Sequence, residues 1–122
     1  MRVLIVEDDD DDQLLMALVV GNLFPDADVV LERTLRGGLS RADDGFDLVL
    51  LDLNLPDSMG PKDTVRSFAP VMGETHVVIV TGSDDRMLLL DALEAGASGF
   101  AFKSQLRWML ETAIPEALIE RY

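Results

Sequence analysis

The chain predicts an α/β fold, a doubly wound parallel sheet, on three observations. Short apolar runs alternate with segments of helical periodicity through the whole sequence. The runs are continuously apolar instead of alternating with polar residues, the pattern of strands covered by helices on both faces. Acidic residues, a threonine and a lysine stand directly after four of the runs, where such sheets gather their ligand-binding groups.

Residues 3–6, all valine, leucine or isoleucine, form the first strand. An acidic stretch over 7–12 leads into a helix over 13–24, with Leu15, Met16, Val19, Val20 and Leu23 at helical spacing and Pro25 as its stop. Residues 29–31 are a second strand, and 34–42 a weaker helix interrupted by Gly37 and Gly38. The third strand covers 47–51. Pro61 suits the first position of a helix reaching to about residue 68. Residues 77–80 are the fourth strand, and 84–95 a helix stopped by Gly96. The fifth strand is 99–102, followed by a helix over 105–121 in which Pro115 predicts a kink or break.

With 122 residues, 48% of them hydrophobic, the chain can bury the core of one domain over 1–122 but not of two, and no linker, repeat or low-complexity tract divides it. Its 23 acids against 10 bases give a formal charge of -13, which argues against direct nucleic-acid binding, since phosphate contact needs clustered lysine and arginine. Cysteine is absent, which rules out a disulfide framework, a thiol nucleophile and a thiolate metal site. The amino-terminal apolar run is far shorter than the roughly 20 residues of a membrane span, so a cytoplasmic location without membrane attachment is expected.

Four stations carry the chemistry. Glu7 and Asp8 follow the first strand, Asp52 the third, Thr81 the fourth and Lys103 the fifth, so a parallel sheet brings them to one edge. Carboxylates crowded on one rim resist ionising together unless a cation lies between them. Magnesium suits such a set, being hard, oxygen-preferring and content with one or two carboxylates and water. An aspartate there can act as a nucleophile toward a phosphoryl group, with Lys103 and the Thr81 hydroxyl neutralising and hydrogen-bonding the phosphoryl oxygens.

The motifs VLIVEDD, DLVLLDLNLP followed by Gly60, VVIVTGS and AGASGFAFKS, in this order and each at a strand end, span essentially the whole chain. Together they resemble the receiver domain of two-component response regulators. The resemblance implies a flavodoxin-like sheet of order 2-1-3-4-5 with five helices. It implies that Asp52 is the phosphoacceptor, charged from a phosphohistidine on a sensor histidine kinase or phosphotransfer protein. Magnesium would be held by Asp8, Asp52 and the backbone carbonyl of Asn54, with Glu7 acting through water. Lys103 would bind the phosphoryl group, and Thr81 and Phe100 would form the switch. It implies a signalling switch and not a turnover enzyme.

Three positions depart from the family pattern. Phe100 stands where a tyrosine is frequent and has no hydroxyl to hold its inward position. Ser104 follows Lys103 where a cis-proline is common, so a trans peptide is expected. Gly82 follows Thr81 and leaves wide access to Asp52. Asn54 and Ser83 flank the pocket and would tune the lifetime of the phosphoryl group.

Each signal has a plainer rival. Asp9, Asp10 and Asp11 read as a solvated, helix-capping stretch, and Asp12 as part of the first helical turn. Asp52 alone fits a turn residue, and Thr81 with Ser83 a helix cap. His76 has no partner at metal-ligand spacing and reads as structural. Two other classes compete: a magnesium-dependent phosphatase of the haloacid-dehalogenase type, whose Asp-x-Asp signature Asp52-Leu53-Asn54 echoes without the second carboxylate, and a non-phosphorylated receiver-like scaffold.

A partner face is expected on the fourth helix, fifth strand and last helix, where the family dimerises and signals. Four consecutive apolar residues over 87–90 exceed one core stripe. With Leu89, Leu90 and Leu93 inward, Met87 and Leu88 point outward. With Leu106, Leu110, Ala113 and Ala117 against the sheet, Trp108 and Ile119 lie outside, giving a docking or homodimer surface.

Overall fold

The computed structural model describes residues 1–72, 74–83 and 85–119, the side chains of Met109 and Ile119 excepted. The elements are β1 (Arg2–Val6), α1 (Asp10–Leu23), β2 (Asp28–Glu32), α2 (Leu35–Arg41), β3 (Leu48–Asp52), α3 (Pro61–Met72), β4 (His76–Thr81), α4 (Arg86–Glu94), β5 (Gly99–Phe102), a 3₁₀ turn (Lys103–Gln105) and α5 (Leu106–Ile119). All strand pairs are parallel, and the order is β2-β1-β3-β4-β5, the arrangement implied by the family resemblance. The 3₁₀ turn is a sixth helical element where five were expected.

The continuous apolar strands have the consequence foreseen for them. Val3 and Ile5 of β1 and Leu48 and Leu50 of β3 pack with Met16 of α1 and Leu110 and Ile114 of α5 on one side of the sheet. Leu4, Val6, Val49 and Leu51 pack with Phe68 and Met72 of α3 and Leu88 of α4 on the other. Burying β1, β3 and β4 between two helical layers fixes their register, because a slip of one residue would exchange the two cores.

Local chemistry moves several boundaries. α1 begins three residues earlier than expected because Asp9 is its N-cap, accepting the N–H of Asp12 at 2.8 Å. α2 is continuous through both glycines. A Cβ on Gly38 would lie 2.8 Å from Val6 Cγ2 and 3.2 Å from Phe68, so glycine is what allows this helix to approach β1. α3 runs past Phe68 to Met72 with Pro70 inside it, because Phe68 and Met72, one turn apart, are both buried. α5 continues unbroken through Pro115. Asp84, the expected start of the fourth helix, and Arg121, the expected end of the last, lie outside the described residues.

The phase of α4 corrects the sequence reading. Leu88 is 4% exposed and faces the core with Ala92, whereas Leu90 is 50% and Met87 65% exposed, and Leu93 is exposed as well. Capping by Asp85, which accepts from the N–H groups of Met87 and Leu88, sets this rotation. In α5 the inward set is Leu106, Leu110, Ile114 and Ala117, with Ala113 half-buried; Trp108 is 67% exposed, as expected. Ile119 closes α5, but its side chain lies outside the described residues.

Candidate functional site: an acidic rim around one lysine

The carboxyl ends of β1, β3 and β4 are stepped by only one residue from strand to strand, so Glu7, Asp52 and Thr81 share one edge of the sheet. Glu7 is the first residue past β1. Its N–H donates to the Glu32 carbonyl at 3.0 Å, and the buried Gln13 amide donates to the carbonyls of Glu7 (3.1 Å) and Glu32 (3.3 Å). These three bonds clamp the ends of β1 and β2 and hold Glu7 fully buried at the rim. Asp52 closes β3, is equally buried, and accepts the Asn54 N–H on Oδ1 at 3.0 Å.

Lys103, the first residue after β5, reaches across this edge. Its Nζ lies 3.1 Å from Glu7 Oε1, 3.2 Å from Glu7 Oε2, 3.3 Å from Asp12 Oδ2 and 3.4 Å from Asp52 Oδ2. The closeness to Glu7 Oε1 and Asp52 Oδ2 is electrostatic only, since neither of these buried oxygens accepts a well-formed hydrogen bond. A buried carboxylate oxygen without a hydrogen bond is costly, and two beside one ammonium mark a place for something cationic or hydrogen-donating.

The electrostatics follow from that crowding. Burial, followed by the closeness and charge of Asp52, pushes the Glu7 carboxyl from 4.5 up to about 8, with the Asp9 N–H and Lys103 pulling the other way. Burial works against the Lys103 ammonium, but Asp52 and Glu7 outweigh it and hold the lysine above its ordinary range. One ligand oxygen each from Glu7, Asp8 and Asp52 lie within 4.8 Å of one another, a group able to hold a metal ion. An all-oxygen set with two unsatisfied members fits a hard divalent cation.

Thr81 ends β4, fully buried, and its Oγ1 accepts the Ser83 N–H at 3.0 Å. The register sets Ile79 beside Phe100 and Thr81 beside Phe102, so strand alternation puts Thr81, Phe100 and Phe102 on one sheet face. The two phenylalanine rings lie 5.5 Å apart, and Phe100 is half-buried against the core beneath α3 and α4. Among the described residues every peptide is trans, including the bond into Ser104, which enters the 3₁₀ turn.

The structure thus unites Glu7, Asp8, Asp52 and Lys103, with Thr81 on the adjoining strand. Four contributors escaped the sequence reading. The sequence places Asp12 only in the first helical turn, yet it pairs with Lys103. Gln13 was not singled out, although a glutamine just inside an amphipathic helix, on its apolar face, is a signal of a buried polar clamp. Phe102 reads in the sequence only as strand. Asp57 accepts the N–H groups of Leu35 (2.7 Å) and Arg36 (2.9 Å) and so ties the β3–α3 loop to the start of α2. These two bonds hold its carboxyl below the usual range. In the acidic stretch, Asp10 pairs with Arg33, whose other nitrogen donates to the Asp8 carbonyl at 2.9 Å.

Residues 3–114 match the family described as the response regulator receiver domain, and the chain belongs to that family. It is 36% identical over 99 residues to a glycerol metabolism activator of Pseudomonas putida, an alignment covering 78% of this chain and 43% of that protein. The chain therefore spans less than half the length of this curated relative. Its fold is similar to a response regulator receiver domain protein from Methanospirillum hungatei, with 27% identity, a TM-score of 0.79 and coverage of 98% of this chain and 94% of the other. It is also similar to a two-component response regulator of the LuxR family from an Aurantimonas species, with 27% identity, a TM-score of 0.81 and coverage of 98% and 86%. This chain is accordingly a receiver domain of two-component signalling, and its acid cluster fits a phosphoacceptor role. Among the described residues no helix is long and apolar enough to cross a membrane.

Proposed function

We propose that Asp52 accepts a phosphoryl group from a phosphohistidine on a sensor histidine kinase or phosphotransfer protein and that the resulting aspartyl phosphate switches the α4-β5-α5 face. The carrying observation is Asp52 Oδ2. It is buried, accepts no hydrogen bond and lies 3.4 Å from Lys103 Nζ, while Oδ1 is held by the Asn54 N–H. The free oxygen is the one placed to attack phosphorus. The Asp52 O–P bond forms as the P–N bond to the donor imidazole breaks, and the imidazole nitrogen keeps the electron pair and takes a proton from solvent.

Glu7, Asp8, Asp52 and the Asn54 carbonyl would hold magnesium, which when bound supplies charge neutralisation for the carboxylates and the transferring group. Lys103 follows the new phosphoryl oxygens, to which it can donate up to three hydrogen bonds. Thr81 accepts from Ser83 and so has its own hydroxyl proton to donate to a phosphoryl oxygen. Phe100, half-buried on the same sheet face, then repacks. Met87, Leu90, Leu93 and Trp108 supply the exposed apolar surface through which a partner or a second copy docks.

This reading describes a signalling switch acting in the cytoplasm, without direct nucleic-acid contact by this chain. Family membership and a full set of pocket residues favour it over the phosphatase and over an unphosphorylated scaffold. The test is labelling by radiolabelled acetyl phosphate. Wild type should take label only with magnesium, Asp52→Asn should take none, and equal labelling of the two would overturn the assignment. Addition of beryllofluoride, a phosphoryl mimic, should change the oligomeric state or partner affinity, and substitution of Met87 or Leu90 should suppress that change.

A further inference from the structure

Asp12 is the member of the rim that the reaction above does not use. It lies in the first turn of α1, where its N–H donates to the Asp9 cap at 2.8 Å, so its position is set by the same turn that follows β1. Its Oδ2 is 3.3 Å from Lys103 Nζ, as near as Asp52 Oδ2 at 3.4 Å. Its neighbours are differently placed: Asp10 pairs with Arg33, and Asp11 is exposed.

Three carboxylates, from the loop after β1, from α1 and from the end of β3, therefore share one ammonium. Two of them, Glu7 and Asp52, are 0% exposed, whereas the Asp12 side chain is 29% exposed. A phosphoryl group on Asp52 would replace the single carboxylate charge with about two, spread over three terminal acceptor oxygens beside the same ammonium. Of the three carboxylates, only Asp12 can return to water when the lysine leaves it, so Asp12 is the partner that yields.

We propose that Asp12 is a positioning residue for Lys103 that restrains phosphorylation: it anchors the ammonium on the α1 side of the rim in the resting protein and surrenders it when Asp52 is phosphorylated. This rests on Asp52 as acceptor. The restraint has two physical parts. Asp12 competes for the cation that the transferring group needs, and its charge opposes an incoming anionic donor.

The test compares initial labelling rates with acetyl phosphate at saturating magnesium. Asp12→Asn should raise the rate about three- to tenfold. Asp11→Asn, the same change of net charge on an exposed neighbour, should stay within about twofold of wild type. In a Lys103→Gln background, assayed at raised donor concentration, the gain from Asp12→Asn should fall to within about twofold, the part left to charge alone. A gain equal in both backgrounds, a gain matched by Asp11→Asn, or no gain at all would overturn the proposal. A thermal double-mutant cycle between Asp12→Asn and Lys103→Gln, run without any donor, reads the resting pair directly. Non-additive melting shifts support the pair, and additive shifts overturn it. A wild type that takes no label sinks the acceptor assignment alone and leaves this cycle to decide the role of Asp12.

Discussion

Replacing Glu7 with glutamine should stabilise the metal-free protein at alkaline pH. The Glu7 carboxyl titrates near 4.5 in an unfolded chain and at about 8 in the folded one, chiefly because it is buried and secondarily because Asp52 adjoins it. Between those values the folded state binds the extra proton, so stability falls as pH rises through the window and levels off above it. A displacement of this size corresponds to on the order of 5 kcal/mol. Glutamine removes the ionisation but still buries a polar amide, so the swap should return about 2–3 kcal/mol at pH 8, or roughly 6–12 °C in Tm for a domain of this size. Near pH 4.5 the gain should be small, since the wild-type glutamate is protonated there. Thermal melts followed by circular dichroism in EDTA, from pH 4.5 to 8.5, give the comparison. Magnesium at a hundred times its Kd should restore about 2.7 kcal/mol to wild type and less to the variant. A wild-type profile that is flat or rises with pH, or a Glu7→Gln protein no more stable than wild type at pH 8, would refute the reasoning.

Gly38→Ala places a methyl group 2.8 Å from Val6 Cγ2 and should destabilise by about 1–3 kcal/mol, read as a lowered urea midpoint with unchanged m-value. Phe68→Ala empties a fully buried site beneath α3 and should cost about 3–5 kcal/mol, seen in the same titration. Asp57→Ala removes two acceptors from the start of α2; hydrogen exchange at Leu35 and Arg36 should accelerate, while amides of β3 keep their protection. Leu90→Glu, at an exposed position of α4, should leave the unfolding free energy within about 0.5 kcal/mol of wild type yet weaken any association induced by beryllofluoride.

The strands and the four stations were legible because both depend on local pattern. Val3 to Val6 or Val77 to Val80 can only be covered strands, and a strand end fixes where its next residue stands. The helical phases were not. Four apolar residues in a row from Met87 to Leu90 fit several rotations equally, and the cap at Asp85 together with the small Ala92 against the core selects one. The helix expected to end at about residue 68 runs on through Pro70, because burial of Phe68 and Met72 outweighs one missing hydrogen bond. Asp12 and Asp57 escaped notice for a common reason: each acts on a group distant in sequence, Lys103 in one case and the N–H groups of α2 in the other. Among five consecutive aspartates, sequence alone does not tell which one faces inward.

Through Asp57, the loop five residues beyond the proposed phosphoacceptor is stitched to the head of α2, away from the α4 face. Any shift of that loop must drag the α2 terminus with it or break two short bonds to a single carboxylate. Were the proposed switch to move that loop, α2 would be a second mechanical exit for the signal. A binding protein gripping α2 would pull on the same thread from the far end and bias the pocket without ever touching it.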